Sequence, residues 1–274
     1  MSHSETNTKQ QQVEDEKQVK RRTAPRAAIV YETIRREGED ELNRTRAALV
    51  WSGLAAGLSM GFSFVAEALL QAHLPEAEWR PLFSKFGYSI GFLIVVLGRQ
   101  QLFTENTLTP ILELLHRLNR QTLFKVLRLW SIVLGANIIG GLFFASVLSF
   151  EGIFTPAVQA SFLEIGQHAL EGAFWSTLLR AIFAGWLIAL MVWLLPFAET
   201  ARVGVIIIIT YIIGLGGFSH IIAGSIETFY IVLHDQATWA TFTSNFFIPT
   251  LLGNTIGGVT FVAAINYAQV ASDH

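Results

Sequence analysis

The hydrophobic positions of this chain fall into six long runs, and the polar positions gather at the N-terminus and in short connections between the runs. The runs lie at about 46–71, 83–101, 124–150, 172–196, 201–233 and 246–270. A helix needs about 20 mostly apolar residues to cross a bilayer, and each run has about that length or more. The pattern therefore predicts an all-α membrane protein with six transmembrane helices.

Two of the runs contain polar or glycine-rich interruptions. The second run continues into LFTENTL, residues 102–108, and the fifth contains GGFSHIIAGSIETFY, residues 216–230. A helix that breaks inside a membrane leaves backbone groups unpaired, which is tolerated only where they line a cavity or are buried in protein. Each new helix N-terminus also carries a partial positive charge that suits an anion. The interruptions predict broken second and fifth spans that line a solute path.

A weak internal repeat relates the two halves of the chain. LGANIIGGLFF in the third run matches LLGNTIGGVTF in the sixth, so that Asn137 and Asn254 are 117 residues apart. The same shift places His220 on Phe103, so the interruptions occupy equivalent positions in two halves at about 46–150 and 168–270. Because each half has three spans, the second half must be inverted, and paired interruptions in inverted repeats indicate a substrate path near the bilayer midplane.

The distribution of charge gives the predicted spans an orientation. Only 15% of the residues are charged, compared with about 25% in soluble domains. Nine of the 19 Lys and Arg lie in the first 45 residues and four more in the connection 117–128, whereas the connections on the other side contain only Arg80 and Lys85. Basic residues are typical of cytoplasmic loops. We therefore expect both termini to lie in the cytoplasm.

The polar N-terminus is expected to be separate from the membrane domain. Residues 1–45 read as a cytoplasmic basic tail with a short amphipathic helix near Ala27–Arg36, followed by a transmembrane channel domain at 46–270 and a cytoplasmic end at 271–274. Such a tail suits anionic membrane lipid, and no nucleic-acid partner is expected. The sequence has no cysteine and no hydrolase, metalloprotease or phosphate-loop motif. It therefore predicts neither an enzyme nor a cofactor or metal site.

The interrupted segments, together with LIALMVWL in the fourth run and IPTLLGNTIGGVTF in the sixth, resemble the formate/nitrite transporter family and in particular its YfdC-like branch. The resemblance covers about residues 46–267. It implies an aquaporin-like fold with six spans per subunit, five subunits in a ring and one pore in each subunit. It also implies that this homopentamer carries a small monovalent anion or its conjugate weak acid across a bacterial inner membrane.

The resemblance also assigns pore residues. The family's central histidine corresponds to His220, which can change charge near neutral pH and so link transport to protons, and the threonine opposite it corresponds to Thr104. The residues that narrow the pore on either side correspond to Tyr88, Phe92, Ile213 and Phe218. The pore lining of the broken segments corresponds to Leu102, Phe103, Ser219 and Gly224.

Several polar positions of the family pattern differ in this chain. Ser219 replaces a usual glutamate, and Gly224 and Gly185 replace asparagines. The family's lysine at the outer start of the fourth span is not recognisable near His168 or Ala169. The loss of these groups leaves a second function open, a channel for a small neutral solute. A third alternative is a membrane scaffold or sensor that transports nothing.

Four ionisable residues lie inside the predicted spans, where charges are costly and are normally paired or face a pore. They are Glu67, Arg99, Arg180 and Glu227. Two interpretations remain open for these residues. They form ion pairs between spans, or an arginine replaces the missing lysine and attracts an anion. Arg99 lies near the end of its run, from which its long side chain can reach the interface.

Overall fold

The computed structural model describes residues 26–272, which fold into helices joined by short connections without any strand in that range. The helices are α1 (Ala27–Asn43), α2 (Arg46–His73), α3 (Arg80–Leu97), α4 (Thr109–Arg117), α5 (Arg120–Leu148), α6 (Pro156–Ala169), α7 (Phe174–Leu194), α8 (Arg202–Leu215), α9 (Ile221–Leu233) and α10 (Trp239–Val270). A 3₁₀ turn lies within α3 at Lys85–Tyr88, and α10 contains π-helical segments at Phe242–Phe247 and Gly257–Ala264. The sequence pattern did not predict α6.

Both interruptions in the sequence are breaks in helical structure. Helices α2, α3, α5, α7 and α10 are long and apolar enough to cross a membrane. The predicted run 201–233 is divided instead into α8 and α9, with 14 and 13 residues. At 1.5 Å per residue each is about 20 Å long, which is too short to cross a hydrocarbon core of about 30 Å alone. The second run likewise ends as a helix at Leu97 and resumes at Thr109.

The first break is held by the side chain of Asn137 on α5. Its Oδ1 accepts a hydrogen bond from the N–H of Phe103 at 2.9 Å. Its Nδ2 donates to the carbonyl oxygens of Gly53 and Gln101, at 2.8 Å and 2.9 Å. One buried amide therefore joins α2, α5 and the break, and it pairs two backbone groups that no helix satisfies.

Asn254 on α10 holds the second break in the same way. Its Oδ1 accepts a hydrogen bond from the N–H of Ile221 at 2.8 Å. Its Nδ2 donates to the carbonyl oxygens of Ala181 and Ser219, at 2.8 Å and 2.9 Å. The two breaks are thus fixed by the same side-chain type with the same set of bonds.

These bonds correct the register of the predicted repeat. The backbone groups bound by the asparagines lie at positions 101 and 103 in the first break and at 219 and 221 in the second, a shift of 118 residues. The asparagines themselves are 117 residues apart. His220 therefore corresponds to Leu102, and the predicted match with Phe103 is wrong by one residue. The reason is that Phe103 and Asn137 are 34 residues apart, whereas Ile221 and Asn254 are 33 residues apart.

Glycines allow α2 to pack closely along α5, and α7 along α10. A Cβ on Gly57 would lie 2.3 Å from the carbonyl oxygen of Asn137, and one on Gly185 would lie 2.2 Å from the carbonyl oxygen of Asn254. Neither position can hold a side chain unless the helices move apart. The asparagine that the family has at the position of Gly185 would not fit here, because the backbone of α10 occupies the space of its side chain.

The N-terminal helix α1 is longer than the predicted Ala27–Arg36 and packs on α4. Its buried side consists of Val30, Tyr31, Ile34, Gly38 and Leu42. Gly38 approaches α4 so closely that a Cβ would lie 2.1 Å from the carbonyl oxygen of Thr109. The part of the predicted tail at 1–25 and the last two residues, 273–274, lie outside the described residues.

Ion pairs reinforce the contact between α1 and α4. Arg35 pairs with Glu32 on its own helix and with Glu113, which is buried on α4. The hydrogen bond from Arg35, with a second from Arg36, lowers the pKa of Glu32 to about 2. Glu32 is therefore ionised at any physiological pH, and the contact of this part of α1 does not depend on its titration.

Candidate pore site

His220 caps the N-terminus of α9 with its own ring. Its Nδ1 accepts hydrogen bonds from the N–H groups of Ile222 and Ala223, at 3.3 Å and 3.2 Å. A ring nitrogen that accepts a hydrogen bond carries no proton, so we assign the neutral tautomer with its proton on Nε2. The side chain is buried. Protonation of Nδ1 would replace an acceptor with a donor and remove the cap.

The first turn of α9 offers no free N–H group to a solute. Ile221 donates to Asn254, the next two residues donate to the His220 ring, and Gly224 donates to the His220 carbonyl. The sequence pattern predicted that a helix N-terminus at the break would suit an anion. This expectation is wrong for direct binding at α9, since two side chains and the helix itself occupy these donors.

Thr104 lies against the other nitrogen of the ring. Its Oγ1 is 2.8 Å from Nε2 of His220, and the residue is buried. The Thr104 carbonyl accepts a hydrogen bond from Thr107 Oγ1 at 2.7 Å, within the 3₁₀ turn Glu105–Thr107. With Nε2 as the donor, the Thr104 hydroxyl keeps its own proton for a further acceptor. The structure thus brings together, from the two breaks, the side chains that the resemblance paired.

Apolar groups surround this histidine–threonine pair. The ring of Phe92 is fully buried and meets the His220 ring edge to face, with 5.0 Å between centroids. The ring of Tyr88 lies 5.3 Å from that of Phe92. Ile213 is buried, and Phe218 is half-buried and stacks on a phenylalanine of α7 at 5.2 Å.

Two cavities lie on either side of the pair. The small cavity, of about 50 Å³, is lined by His220 together with Lys85, Tyr88, Ile213, Phe218, Ser219 and Gly224 among others. The large cavity, of about 450 Å³, is lined by parts of α1, α3 and the end of α7, and by Glu105, the neighbour of Thr104. Since α3 contributes its first half to the small cavity and its last residues to the large one, the cavities lie at opposite ends of that helix.

The predicted constriction and lining residues are not distributed as expected. Of the four predicted constriction residues, Tyr88, Ile213 and Phe218 lie on the small cavity, whereas Phe92 lines neither cavity and packs on the His220 ring. Leu102 and Phe103 line neither cavity, in contrast to Ser219 and Gly224. The Phe103 ring packs instead against a tryptophan of α5, with 5.8 Å between centroids, because Asn137 fixes its backbone and turns the side chain toward α5.

Of the four ionisable residues singled out in the predicted spans, Glu67 alone forms an ion pair between spans within 26–272. It is buried on α2 and pairs with Lys85 on α3. Arg180 and Glu227 both line the small cavity, and neither forms an ion pair with another residue in 26–272. Arg180 donates to the carbonyl of Glu171 at 3.2 Å. The interpretation as ion pairs between spans is therefore wrong for Arg180 and Glu227.

Arg99 does not lie within a span. It follows the end of α3 in a left-handed conformation with φ of 50°, and its side chain is 77% exposed. It pairs with Glu37 of α1 at 3.2 Å and lines the large cavity. The expectation of an intramembrane charge here is wrong because the helix ends at Leu97, two residues before Arg99, although the hydrophobic run continues to 101.

Lys85 is a path residue that the sequence pattern does not reveal, since there it indicates only a positive charge on one side of the membrane. The structure places its side chain on the small cavity, bound to Glu67. The sequence signal for this ion pair is a glutamate in the first hydrophobic run and a lysine in the second. Glu105, on the large cavity, also has a buried carboxyl oxygen without a partner in the described chain.

Two broken helices that meet at a buried histidine between two cavities define a helical membrane channel or transporter fold. The chain belongs to the formate/nitrite transporter family, whose sequence pattern matches residues 28–268. The predicted family is thus confirmed.

Individual relatives and solved structures agree with this assignment. The chain is 39% identical to the inner membrane protein YfdC of Escherichia coli (strain K12), over 92% of this chain and 81% of that protein. It is 26% identical to the formate channel BtFdhC of Bacillus thuringiensis, over 89% of this chain and 95% of that protein. Its fold is similar to that of an FNT family ion channel, with a TM-score of 0.72 and 20% sequence identity over 89% of this chain and 96% of that chain. It is also similar to a pentameric formate channel with formate bound, with a TM-score of 0.69 and 21% sequence identity over 82% of this chain and 98% of that chain.

Proposed function

We propose that this protein is a channel of the bacterial inner membrane for a small monovalent weak acid of the formate or nitrite class, which crosses the centre of the protein as the neutral acid. Relatives described as formate channels support the solute class. The contact between His220 and Thr104 is the single observation that supports passage of the neutral acid. This contact is buried and uncharged, and the ring of Phe92 packs against it.

An anion at the His220–Thr104 pair would find few protein groups that could replace its hydration shell. The N–H groups of the first turn of α9 are all engaged, and the assigned histidine tautomer is neutral. Moving an isolated carboxylate into an apolar environment costs at least several kcal/mol. A neutral acid requires only a hydrogen bond or two, and the Thr104 hydroxyl can donate one to it. The pair therefore favours the protonated solute, and the proton travels with it.

The arrangement of spans follows from the same proposal. We infer six spans, formed by α2, α3 with α4, α5, α7, α8 with α9, and α10, in two inverted halves at about 46–150 and 168–270. The basic connections then place both termini in the cytoplasm, with the large cavity inside and the small cavity outside. Residues 1–45 form a cytoplasmic segment that includes α1, the channel domain extends over 46–270, and 271–274 end in the cytoplasm.

Cysteine labelling tests this topology, since the chain has no cysteine of its own. Single cysteines at Gln167 and Gln236 are expected to react with a membrane-impermeant maleimide from the outside. Cysteines at Asn119 and Ser272 are expected to react only after the membrane is opened. All four positions are exposed. The reverse labelling pattern would contradict the topology and the inverted repeat.

A ring of five copies is proposed from the similarity to a pentameric formate channel. Each subunit would then contain a complete path, because both breaks and both cavities lie within one chain. The measurement is the protein mass in detergent micelles, corrected for bound detergent. A mass of one or two subunits would contradict the pentamer and leave the single-chain path unaffected.

Solute flux into proteoliposomes tests the transport function. Formate, nitrite, acetate and glycerol are compared across a pH series, with protein-free vesicles as the control. Formate or nitrite flux is expected to increase as the outer pH falls, and glycerol is expected not to enter faster than in the control. Glycerol flux without weak-acid flux would support a channel for neutral solutes instead. No flux of any solute would favour a scaffold or sensor.

A further inference from the structure

Glu227 faces the small cavity without a partner. The residue is 8% exposed, and within 26–272 its carboxyl forms no hydrogen bond and no ion pair. His220 caps α9, and Gly224 and Glu227 follow on the same face about one and two turns later. At 1.5 Å per residue, Glu227 lies about 10 Å from His220 along the helix axis. A solute that enters through the small cavity therefore passes Glu227 before it reaches His220.

Ionisable groups from four other helices surround the small cavity. Lys85 and Tyr88 on α3, His168 on α6 and Arg180 on α7 line the cavity, and Glu67 on α2 binds Lys85. Glu164 on α6 does not line the cavity and pairs with Arg80 near the surface, at 3.4 Å. Within the described chain, α8 contributes Ile213 and Gly214 to the lining and α10 contributes Phe246, none of them ionisable, and α5 contributes no residue. Most of these groups already have partners, which determines the charge that an entering solute meets.

The ammonium of Lys85 is bound to Glu67, so its positive charge is balanced. His168 lies 2.9 Å from the carboxylate of Glu171 near the surface. Arg180 contributes a positive charge that draws an anion toward the cavity. Glu227 and Tyr88 are then the ionisable side chains on the small cavity that form no hydrogen bond and no ion pair within 26–272, and of the two the carboxyl is the stronger acid.

We propose, on the basis of the function proposed above, that Glu227 is the proton donor that converts the entering anion into the neutral acid. The O–H bond of the protonated Glu227 carboxyl breaks, and an O–H bond forms on an oxygen of the anion. Glu227 is left as a carboxylate, and water on the outer side returns its proton. A cavity of about 50 Å³ has room for roughly three to five water-sized groups, enough for a solute of three heavy atoms.

Arg180 stabilises the product of this step. The carboxylate that remains after proton transfer shares the cavity with the Arg180 guanidinium, which forms no ion pair within 26–272, and an opposite charge nearby favours the ionised form. The Lys85 ammonium is balanced by Glu67, so it adds no second free positive charge that would retain the anion. The cluster therefore selects solutes that can accept a proton, which is a narrower class than small anions.

Formate flux in proteoliposomes across a series of outer pH values tests the proposal with wild type, Glu227→Gln, Glu227→Asp and Glu164→Gln. Wild-type flux is expected to increase as the outer pH falls. Glu227→Gln is expected to lose about tenfold or more of the flux at acid pH, on the scale of a lost general acid, and to lose most of the pH dependence. Glu227→Asp keeps a carboxyl and is expected to retain the pH dependence at a lower rate. Glu164, 63% exposed on α6, is the matched control, and its variant is expected to behave as wild type.

Each result is decisive for one of the two proposals. A Glu227→Gln profile equal to wild type would overturn the role of Glu227 and leave the channel function intact. A wild type without weak-acid flux would overturn the channel function, and the role of Glu227 with it. If Glu227→Gln does not assemble, Glu227→Asp decides, since an unchanged rate at every pH would contradict proton transfer from a carboxyl at this distance.

Discussion

The ring of Phe246 fills the space beside Gly224, where a Cβ would lie 2.4 Å from the ring's Cζ. The family pattern has an asparagine at this position, one turn beyond the central histidine. Here a ring from α10 takes the place of that side chain and forms part of the small cavity. The departure at Gly224 therefore goes together with a phenylalanine of α10 that fills the free space, and it makes the wall of the path less polar.

The contact predicts that even alanine is not tolerated at Gly224. Gly224→Ala is expected to destabilise the protein by about 1–3 kcal/mol through overpacking and to reduce flux, because Phe246 must move into the cavity. The double variant Gly224→Asn/Phe246→Ala is expected to recover both properties. Thermal unfolding in detergent and formate flux are the measurements. Gly135→Ala, where a Cβ would meet nothing within 4 Å, is the control, and equal effects at the two glycines would contradict the packing argument.

Asn254 is expected to be essential for the second break. Asn254→Leu leaves the N–H of Ile221 and the carbonyl of Ser219 unpaired in a buried site, at about 1–3 kcal/mol for each group. The expected result is a lower unfolding temperature and a loss of flux, since the same bonds position His220. Asn266→Leu is the control because the Asn266 amide bonds only to a carbonyl one turn earlier in its own helix. Similar losses in both variants would show that the break does not depend on Asn254.

The attachment of α1 is expected to weaken as the pH rises. Burial raises the pKa of Glu41, although hydrogen bonds from Thr109 and Gln101, at 2.5 Å and 3.2 Å, act in the opposite direction. A group whose pKa is raised in the docked state stabilises that state at low pH, and this contribution is lost as the pH rises through the raised pKa. Proteolysis of α1 should therefore accelerate with pH. Glu41→Gln should remove the dependence, whereas Asp40→Asn, at an exposed neighbour, should retain it.

Local features of the sequence were sufficient to predict where the helices break. The polar groups in LFTENTL and the glycines and histidine in GGFSHIIAGS mark the two positions because a continuous apolar helix would not contain them. The pairing of His220 with Thr104 came from the family resemblance. Hydrophobic periodicity alone cannot show which side chain from one break meets which residue from the other.

The partners and the membrane positions of the charged side chains could not be predicted from the sequence. Glu67 and Lys85 are 18 residues apart on different helices, and their pairing depends on the angle at which α2 and α3 cross. Arg99 appeared to lie in a span because the hydrophobic run continues past the point where the helix ends at Leu97. The fit of Phe246 against Gly224 likewise depends on a contact between α9 and α10, which no local pattern encodes.

The central claim is that His220 and Thr104 restrict passage to the neutral acid, and His220→Asn tests it most directly. Asparagine is a good N-cap, so the variant keeps the start of α9 while it removes the ring that contacts Thr104 and Phe92. The measurement is formate flux across a pH series, together with the electrical current that formate carries. We expect His220→Asn to conduct the formate anion as a current and to lose the pH dependence of flux. A wild-type pH profile without current would contradict it and would make His220 a packing residue.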